Sequence, residues 1–251
     1  MISREFIKEL SIKYQTGEDN VIREYCQHLF LSYLNKLKGS EKLLFKGGTA
    51  LRIIFQSPRF SEDLDFSLAG RGVSAVKEIN RLLDDALIKM MDEGMEVEKK
   101  LNPGTEGETS GGYFAVMNMK MPEFASEIKI QVSFRRPSKA KGSRTMISND
   151  FIHPYIMNYL NESVMVEEKI EALLDRKMPR DFFDLYFILR NISLIKNIPR
   201  RPNLQKDILS VIDKSGDFEK ELKLFLPISF HTILKDFKDR LRKEVKIHIR
   251  N

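Results

Sequence analysis

A glycine turn followed at fixed distance by an acidic pair constrains this chain more than anything else in it. The turn reads Lys46-Gly47-Gly48-Thr49-Ala50-Leu51, and the acids lie in Ser61-Glu62-Asp63-Leu64-Asp65-Phe66. Leu43, Leu44 and Phe45 run into the glycines, while Leu64 and Phe66 interleave with the acids. That alternation predicts a strand with one face in a core and one face carrying charge. Residues i and i+2 of a strand share a face. Asp63 and Asp65 are therefore expected to stand side by side as two hard oxygen ligands, suited to Mg²⁺ shared with substrate phosphates. Adjacent carboxylates repel unless a cation lies between them. The glycine turn offers backbone N–H groups, and a helix opening behind it adds its positive end, so a triphosphate has a cradle. Gly47, Gly48 and Thr49 are the candidate phosphate contacts. Lys46, Arg59 and Ser61 are further candidates, weighed against plain surface roles. Taken singly, a Gly-Gly is only a turn and a D-x-D only a solvated loop end; their order and spacing make the case.

The surrounding blocks extend the pattern. Phe45-Lys46-Gly47-Gly48-Thr49-Ala50-Leu51-Arg52 and Arg59-Phe60-Ser61-Glu62-Asp63-Leu64-Asp65-Phe66 are followed by Val166-Glu167-Glu168-Lys169-Ile170-Glu171-Ala172-Leu173 and Arg180-Asp181-Phe182-Phe183-Asp184-Leu185. In this order they resemble the AbiEii family of nucleotidyltransferase toxins, within the polymerase-beta-like nucleotidyltransferase superfamily. The resemblance spans about residues 20–190; residues 191–251 contribute nothing to it. It implies an NTP donor, one or two Mg²⁺ ions, an RNA acceptor such as the 3′ end of tRNA, a role in phage defence and a separately encoded antitoxin. It places Lys169 at the nucleotide as a positive charge on the phosphates. It makes Asp184 an active-site acid, with Asp181 the second choice. Family members often carry serine where Thr49 stands, and threonine keeps the hydroxyl. On the residues alone, Lys169 at the edge of an apolar stripe reads as a snorkelling lysine, and Asp184 as the partner of Arg180 one helical turn away. One departure stands out. Related enzymes place a third metal-binding acid on a later central strand, and here that strand offers Gln131, a poor Mg²⁺ ligand. Either Asp184 supplies the third acid or only one metal is tightly held.

The fold class expected is α+β: an N-terminal helix over residues 4–38, a small mixed sheet with helices, and a C-terminal helical lobe. The division expected is 1–150 and 151–251, with the groove between the lobes as the natural place for a site. Strands are predicted at 42–46, 63–68, 95–101, 113–121 and 127–134, helices at 50–55 and 73–91, and a basic loop at 135–149. Helices follow at 164–177, 181–190, 204–212, 218–224 and 228–243.

Charge and cysteine usage bear on partners. Net charge is +6 over 251 residues, a modest excess compatible with nucleic-acid binding. Residues 135–144 carry five positive charges and no acid, and residues 235–251 carry seven Lys or Arg against three acids. These two runs are the candidate RNA contacts. The single cysteine, Cys26, excludes an internal disulfide framework and sits on an apolar helical pattern, so a packed thiol is expected. No secretory signal and no membrane-length apolar run is evident, and cytoplasmic residence is expected. The four histidines form no ligand spacing. Two other readings use the same chain: nucleotide transfer to a small molecule or protein side chain through Asp63, Asp65 and Thr49, and a non-catalytic nucleic-acid or protein-binding module on a decayed transferase fold.

Overall fold

The computed structural model describes residues 2–70, 75–135 and 141–250. By contacts the chain divides into two compact units, Met1–Ile54 with Phe60–Leu160, and Phe55–Arg59 with Asn161–Asn251.

Unit 1 holds helices α1 (Arg4–Tyr14), α2 (Glu18–Leu34), α3 (Gly47–Phe55) and α4 (Ala75–Asp92). Among the described residues its strands are β1 (Leu43–Lys46), β2 (Leu64–Leu68), β3 (Glu96–Lys100), β4 (Glu108–Thr109), β5 (Gly112–Lys120), β6 (Ala125–Ser133), β7 (Gly142–Ile147) and β8 (Tyr155–Leu160). They form one mixed sheet in the order β3-β5-β6-β2-β1-β8-β7, with β4 pairing β5. β1 and β2 are antiparallel, while β1 with β8 and β2 with β6 are parallel.

One row across the sheet explains why it has a core face. Phe45, Phe66, Val132 and Tyr113 lie in register on four neighbouring strands, and all are buried. Helix α2, buried along most of its length, contacts β6 and β8, and also packs on α4. Burying an aliphatic or aromatic side chain contributes roughly 1.5–3 kcal/mol each, so this row and the helix stripe above it carry much of the unit's stability.

Three expectations are corrected. The helix expected over 4–38 is two helices. Gln15 takes a left-handed backbone (φ 54°) and Gly17 opens α2. The basic loop expected at 135–149 contains β7, an edge strand, and β8 was not foreseen at all. The third concerns α3. It begins at Gly47 itself, so the glycine turn is the first turn of the helix rather than a loop before it. Residues 136–140 of the basic run and 73–74 at the expected start of α4 lie outside the described residues.

Behind α3 sits a buried polar cluster. Arg52 Nε donates to Glu24 Oε2 at 3.0 Å, its guanidinium lies 3.9 Å from the centre of the Phe60 ring, and His28 Nδ1 is 2.9 Å from the Tyr155 hydroxyl. Burial, with the Arg52 charge adding to it, pushes His28 down to about 3. The unfolded imidazole titrates near pH 6.5, so between about 6.5 and 3 the unfolded chain binds a proton that the native chain refuses, and stability falls with pH. The expected loss from pH 7 to pH 5 is up to about 2 kcal/mol. Glu24, whose carboxyl burial raises, offsets part of it. Urea midpoints at the two pH values check this: the wild-type drop should shrink in His28→Gln. Cys26 is fully buried and its thiol is pushed up to about 12 by burial, as a packed side chain should be.

Unit 2 is helical: α5 (Glu162–Arg176), α6 (Pro179–Arg190), α7 (Leu204–Lys214), α8 (Glu219–Phe225), α9 (His231–Leu234) and α10 (Phe237–His248). Asn161 caps α5 by accepting from Ser163 N–H at 3.0 Å. Phe182, Phe183 and Tyr186 on α6 pack with Phe218 and Phe237, the closest ring pair being Phe182–Phe218 at 4.7 Å between centroids. Among the described residues no helix is long and apolar enough to cross a membrane.

Candidate active site

The candidate residues fall into two groups, and each is held within its own unit. Lys46, Gly47, Gly48, Thr49, Ser61, Asp63 and Asp65 belong to unit 1; Arg59, Lys169, Asp181 and Asp184 belong to unit 2.

In unit 1, β1 runs straight into α3, so the first backbone N–H groups of the helix, at Gly47, Gly48 and Thr49, lack intrahelical carbonyl partners and carry the positive end of the dipole. Asp65 lies opposite Lys46 in the β1–β2 register and beside Gln131 in the β2–β6 register. Gln131 thus occupies the strand position next to Asp65 where related enzymes would be expected to place a third acid. Asp63 precedes β2 by one residue, so only Asp65 lies within the strand, which corrects the expectation that both do. The turn and the acid meet directly. Gly47 has φ +86°, and a Cβ there would lie 2.2 Å from Asp65 Oδ2. No other residue type leaves room for the carboxylate.

Thr49 is buried and its hydroxyl donates to the carbonyl oxygen of Asp63. Its proton is thereby committed to tying the turn to the acidic segment. Gln27, passed over by the sequence reading, completes the frame. Its Nε2 donates to the carbonyls of Ser61 at 2.9 Å and Glu62 at 3.2 Å, fixing the backbone that leads into the acids. The available signal was a neutral polar residue inside the apolar stripe of α2, where an amide is retained only if hydrogen-bonded.

In unit 2, Asp184 is buried and takes two cations. Arg59 approaches as a fork, Nε to Oδ1 at 2.9 Å and a terminal nitrogen to Oδ2 at 3.0 Å, and Lys169 Nζ donates to Oδ2 at 2.7 Å. Burial alone would raise this carboxyl, but Arg59 and Lys169 outweigh it and hold it below the ordinary carboxylate range. Arg180, the local partner expected from spacing, is not in this cluster; the partners come from 125 and 15 residues away. Asp181 caps α6 by accepting from Met178 N–H at 3.2 Å and binds Arg176 at 2.6 Å, a structural assignment for the second-choice acid.

A model of the family described as nucleotidyl transferase AbiEii toxin, type IV toxin–antitoxin system, matches residues 29–247. The chain belongs to this family. Among solved structures it is similar to MenT4, a nucleotidyltransferase toxin from Mycobacterium tuberculosis H37Rv, with a TM-score of 0.68 at 16% identity over 98% of this chain and 89% of that one. It is also similar to JHP933 from Helicobacter pylori, with a TM-score of 0.59 at 16% identity over 92% of each chain. No curated protein matches it. As an AbiEii protein it is a nucleotidyltransferase toxin, with an NTP as substrate and a separate antitoxin as the counterpart that a type IV system implies. The match runs to residue 247, so the C-terminal helices, read from sequence as outside the resemblance, are part of the family's extent.

Local ion pairs sort the basic runs of this AbiEii protein. On α10 and its approach, Arg240 pairs with Asp236, Arg242 with Asp213 and Asp239, and His248 with Glu244. Two of the seven Lys and Arg counted over 235–251 are thereby paired locally. Within 135–144, Arg135, Lys141 and Arg144 are described, and Arg144 lies on β7.

Gly47→Ala would test the contact between turn and acid. The new methyl strains a left-handed backbone, about 1–2 kcal/mol, and strikes a carboxylate that must then move. Nucleotide affinity should fall at least tenfold, read by isothermal titration with a non-hydrolysable NTP analogue. Affinity equal to wild type would show that Asp65 is free to stand elsewhere.

Proposed function

We propose that this AbiEii toxin transfers a nucleotide from an NTP to an RNA acceptor, the 3′ end of tRNA being the acceptor the family pattern favours, in a Mg²⁺-dependent reaction. The observation that carries the reading is the packing of the Asp65 carboxylate against Gly47 at the first turn of α3. Acid and phosphate cradle are neighbours by construction. The donor set fits the metal. Among the described residues no cluster of three or more His, Cys, Asp or Glu is arranged to hold an ion. Mg²⁺ bound through one or two carboxylates, with substrate phosphates and water filling its shell, requires no such cluster. Asp63 and Asp65 would hold it, and when bound it would neutralise charge on the phosphates and lower the pKa of the acceptor hydroxyl.

The chain's own residues position the reactants. The N–H groups of Gly48 and Thr49 bind the phosphates, with Lys46 adding a charge beside them. The acceptor oxygen bonds to the α-phosphorus while pyrophosphate leaves along the opposite direction. Lys169 is assigned to the donor phosphates by the family pattern, and Asp184 orients it. Both oxygens of Asp184 already accept from cations, so a positioning role suits it better than direct metal binding.

The experiment is incubation of the purified chain with total tRNA, Mg²⁺ and each of the four α-labelled NTPs in turn, beside an Asp65→Ala control. Label entering RNA with wild type alone supports the reading and names the donor. Label entering only a protein or a small molecule moves the acceptor class and sinks the RNA assignment.

A further inference from the structure

Lys46, Asp65, Gln131 and Phe114 lie in register on β1, β2, β6 and β5, one row on the sheet face opposite the buried phenylalanines. On that face Gln131 is exposed and Phe114 half-buried. An aromatic ring on an open, polar sheet face contributes little to a core. Its neighbour along β5 on one side is Gly112, which must stay bare, since a Cβ there would lie 2.0 Å from the Val132 carbonyl oxygen. Gly112 and, along its row, Leu44 and Ser67 are buried, so this face is closed on that side of the ring and opens toward Gln131 and Lys129.

The charges around it are cationic for a short distance only. The next row holds Lys100, Val116 and Lys129, with Lys100 paired to Glu98 at 3.2 Å. Beyond the other end of β6, Arg135 is exposed, its Nε 3.0 Å from where a Cβ on Gly111 would stand. One row past the lysines come Glu98, Asn118 and Glu127. Positive charge thus borders Asp65 and Phe114, and negative charge closes the far side.

We propose that this row seats the last base of the acceptor strand: Phe114 stacks on it, Gln131 hydrogen-bonds its edge, and Lys129 and Arg135 meet the adjoining phosphates. An open sheet with an aromatic platform and flanking cations is how single-stranded RNA is held. Two strand spacings separate Phe114 from Asp65, about 10 Å, the order of one nucleotide. The acidic row beyond limits the seat to a strand end and excludes a long backbone. This rests on the RNA-acceptor reading above.

The probe is a single-stranded RNA oligonucleotide ending in 2-aminopurine, whose fluorescence falls on stacking, titrated with wild type, Phe114→Leu, Phe114→Tyr and Lys129→Gln. Wild type and Phe114→Tyr should quench and bind alike. Phe114→Leu should lose the quench and bind about tenfold more weakly. Lys129→Gln should lower the salt slope by about one ion, with NTP affinity unchanged in all three variants. Phe114→Tyr keeps the platform without loss of core volume, so a folding failure of the leucine variant does not decide the matter; loss of quench by a folded Phe114→Tyr would overturn the seat. If wild type labels RNA yet Phe114→Leu binds and quenches normally, the seat is wrong and the RNA reading stands. If wild type labels only a protein or small molecule, both fall.

Discussion

Asp65→Asn is expected to lower the rate of nucleotide transfer by about 10²–10³-fold or more, several kcal/mol of transition-state stabilisation, while leaving the fold in place. The substitution keeps the shape that fits against Gly47 and removes only the charge. The half-buried position beside Lys46 holds a neutral amide without a buried charge being orphaned. Thermal midpoints should therefore stay within a few degrees of wild type, and NTP affinity should fall most when Mg²⁺ is present. A variant that retains wild-type transfer would remove Asp65 from the chemistry. The pairing with Gln131 adds a second arm. Gln131→Asp would set a carboxylate next to Asp65, and in the Asp65→Asn background it should restore part of the Mg²⁺-dependent affinity.

Asp184→Ala is expected to destabilise unit 2 by about 3–5 kcal/mol, the range for removing one partner of a buried ion pair. Arg59 and Lys169 would both be left with little solvent, their side chains being 5% and 11% exposed. The coupling can be isolated. Lys169→Met alone should destabilise less, and the double variant should be less destabilised than the sum of the singles, because the methionine removes one of the two orphaned charges. Urea unfolding of the four proteins gives the cycle; strict additivity would show that the contact contributes nothing. The pH dependence has a definite sign. Asp184 is held below its unfolded value, so its contribution is present above the ordinary carboxylate pKa of about 3.9 and is lost as pH falls below it. Acid unfolding of wild type should therefore be steeper below pH 4 than that of the Asp184→Ala protein.

How far the chain could be read from its letters follows from the range of each interaction. β1, the glycines and β2 are local, strongly patterned and bounded by turn residues, and they were legible. Gln131 as the neighbour of Asp65 was legible too, because alternation along β6 fixes its face. Edges and long-range partners were not. β7 is an edge strand whose burial alternates, but its letters Gly-Ser-Arg-Thr-Met-Ile do not alternate between apolar and polar, so the sequence carries no period-2 signature. β8 reads Tyr-Ile-Met-Asn-Tyr-Leu, an apolar run too short to tell strand from helix. For Asp184, spacing pointed to Arg180, since the i,i+4 rule sees only one helix. The actual partner, Arg59, lies far away in sequence, and nothing local announces it. Thr49 illustrates the same limit: a hydroxyl after two glycines suggests phosphate, and only the fold shows it donating to Asp63.

The sheet order also has a consequence for synthesis. β1, α3 and β2 emerge together, carrying the glycine turn and both acids, but the strands that flank them, β6 and β8, are translated much later. Until β8 leaves the ribosome, β1 presents an open edge and cannot be completed by anything already made. A chain interrupted before residue 155 would carry every letter of the glycine-acid motif and none of the frame that steadies its outer strand. Fragments that stop short of β8 are therefore more apt to aggregate or be degraded than to act, and harm to the producing cell is deferred until the chain has been made past residue 160.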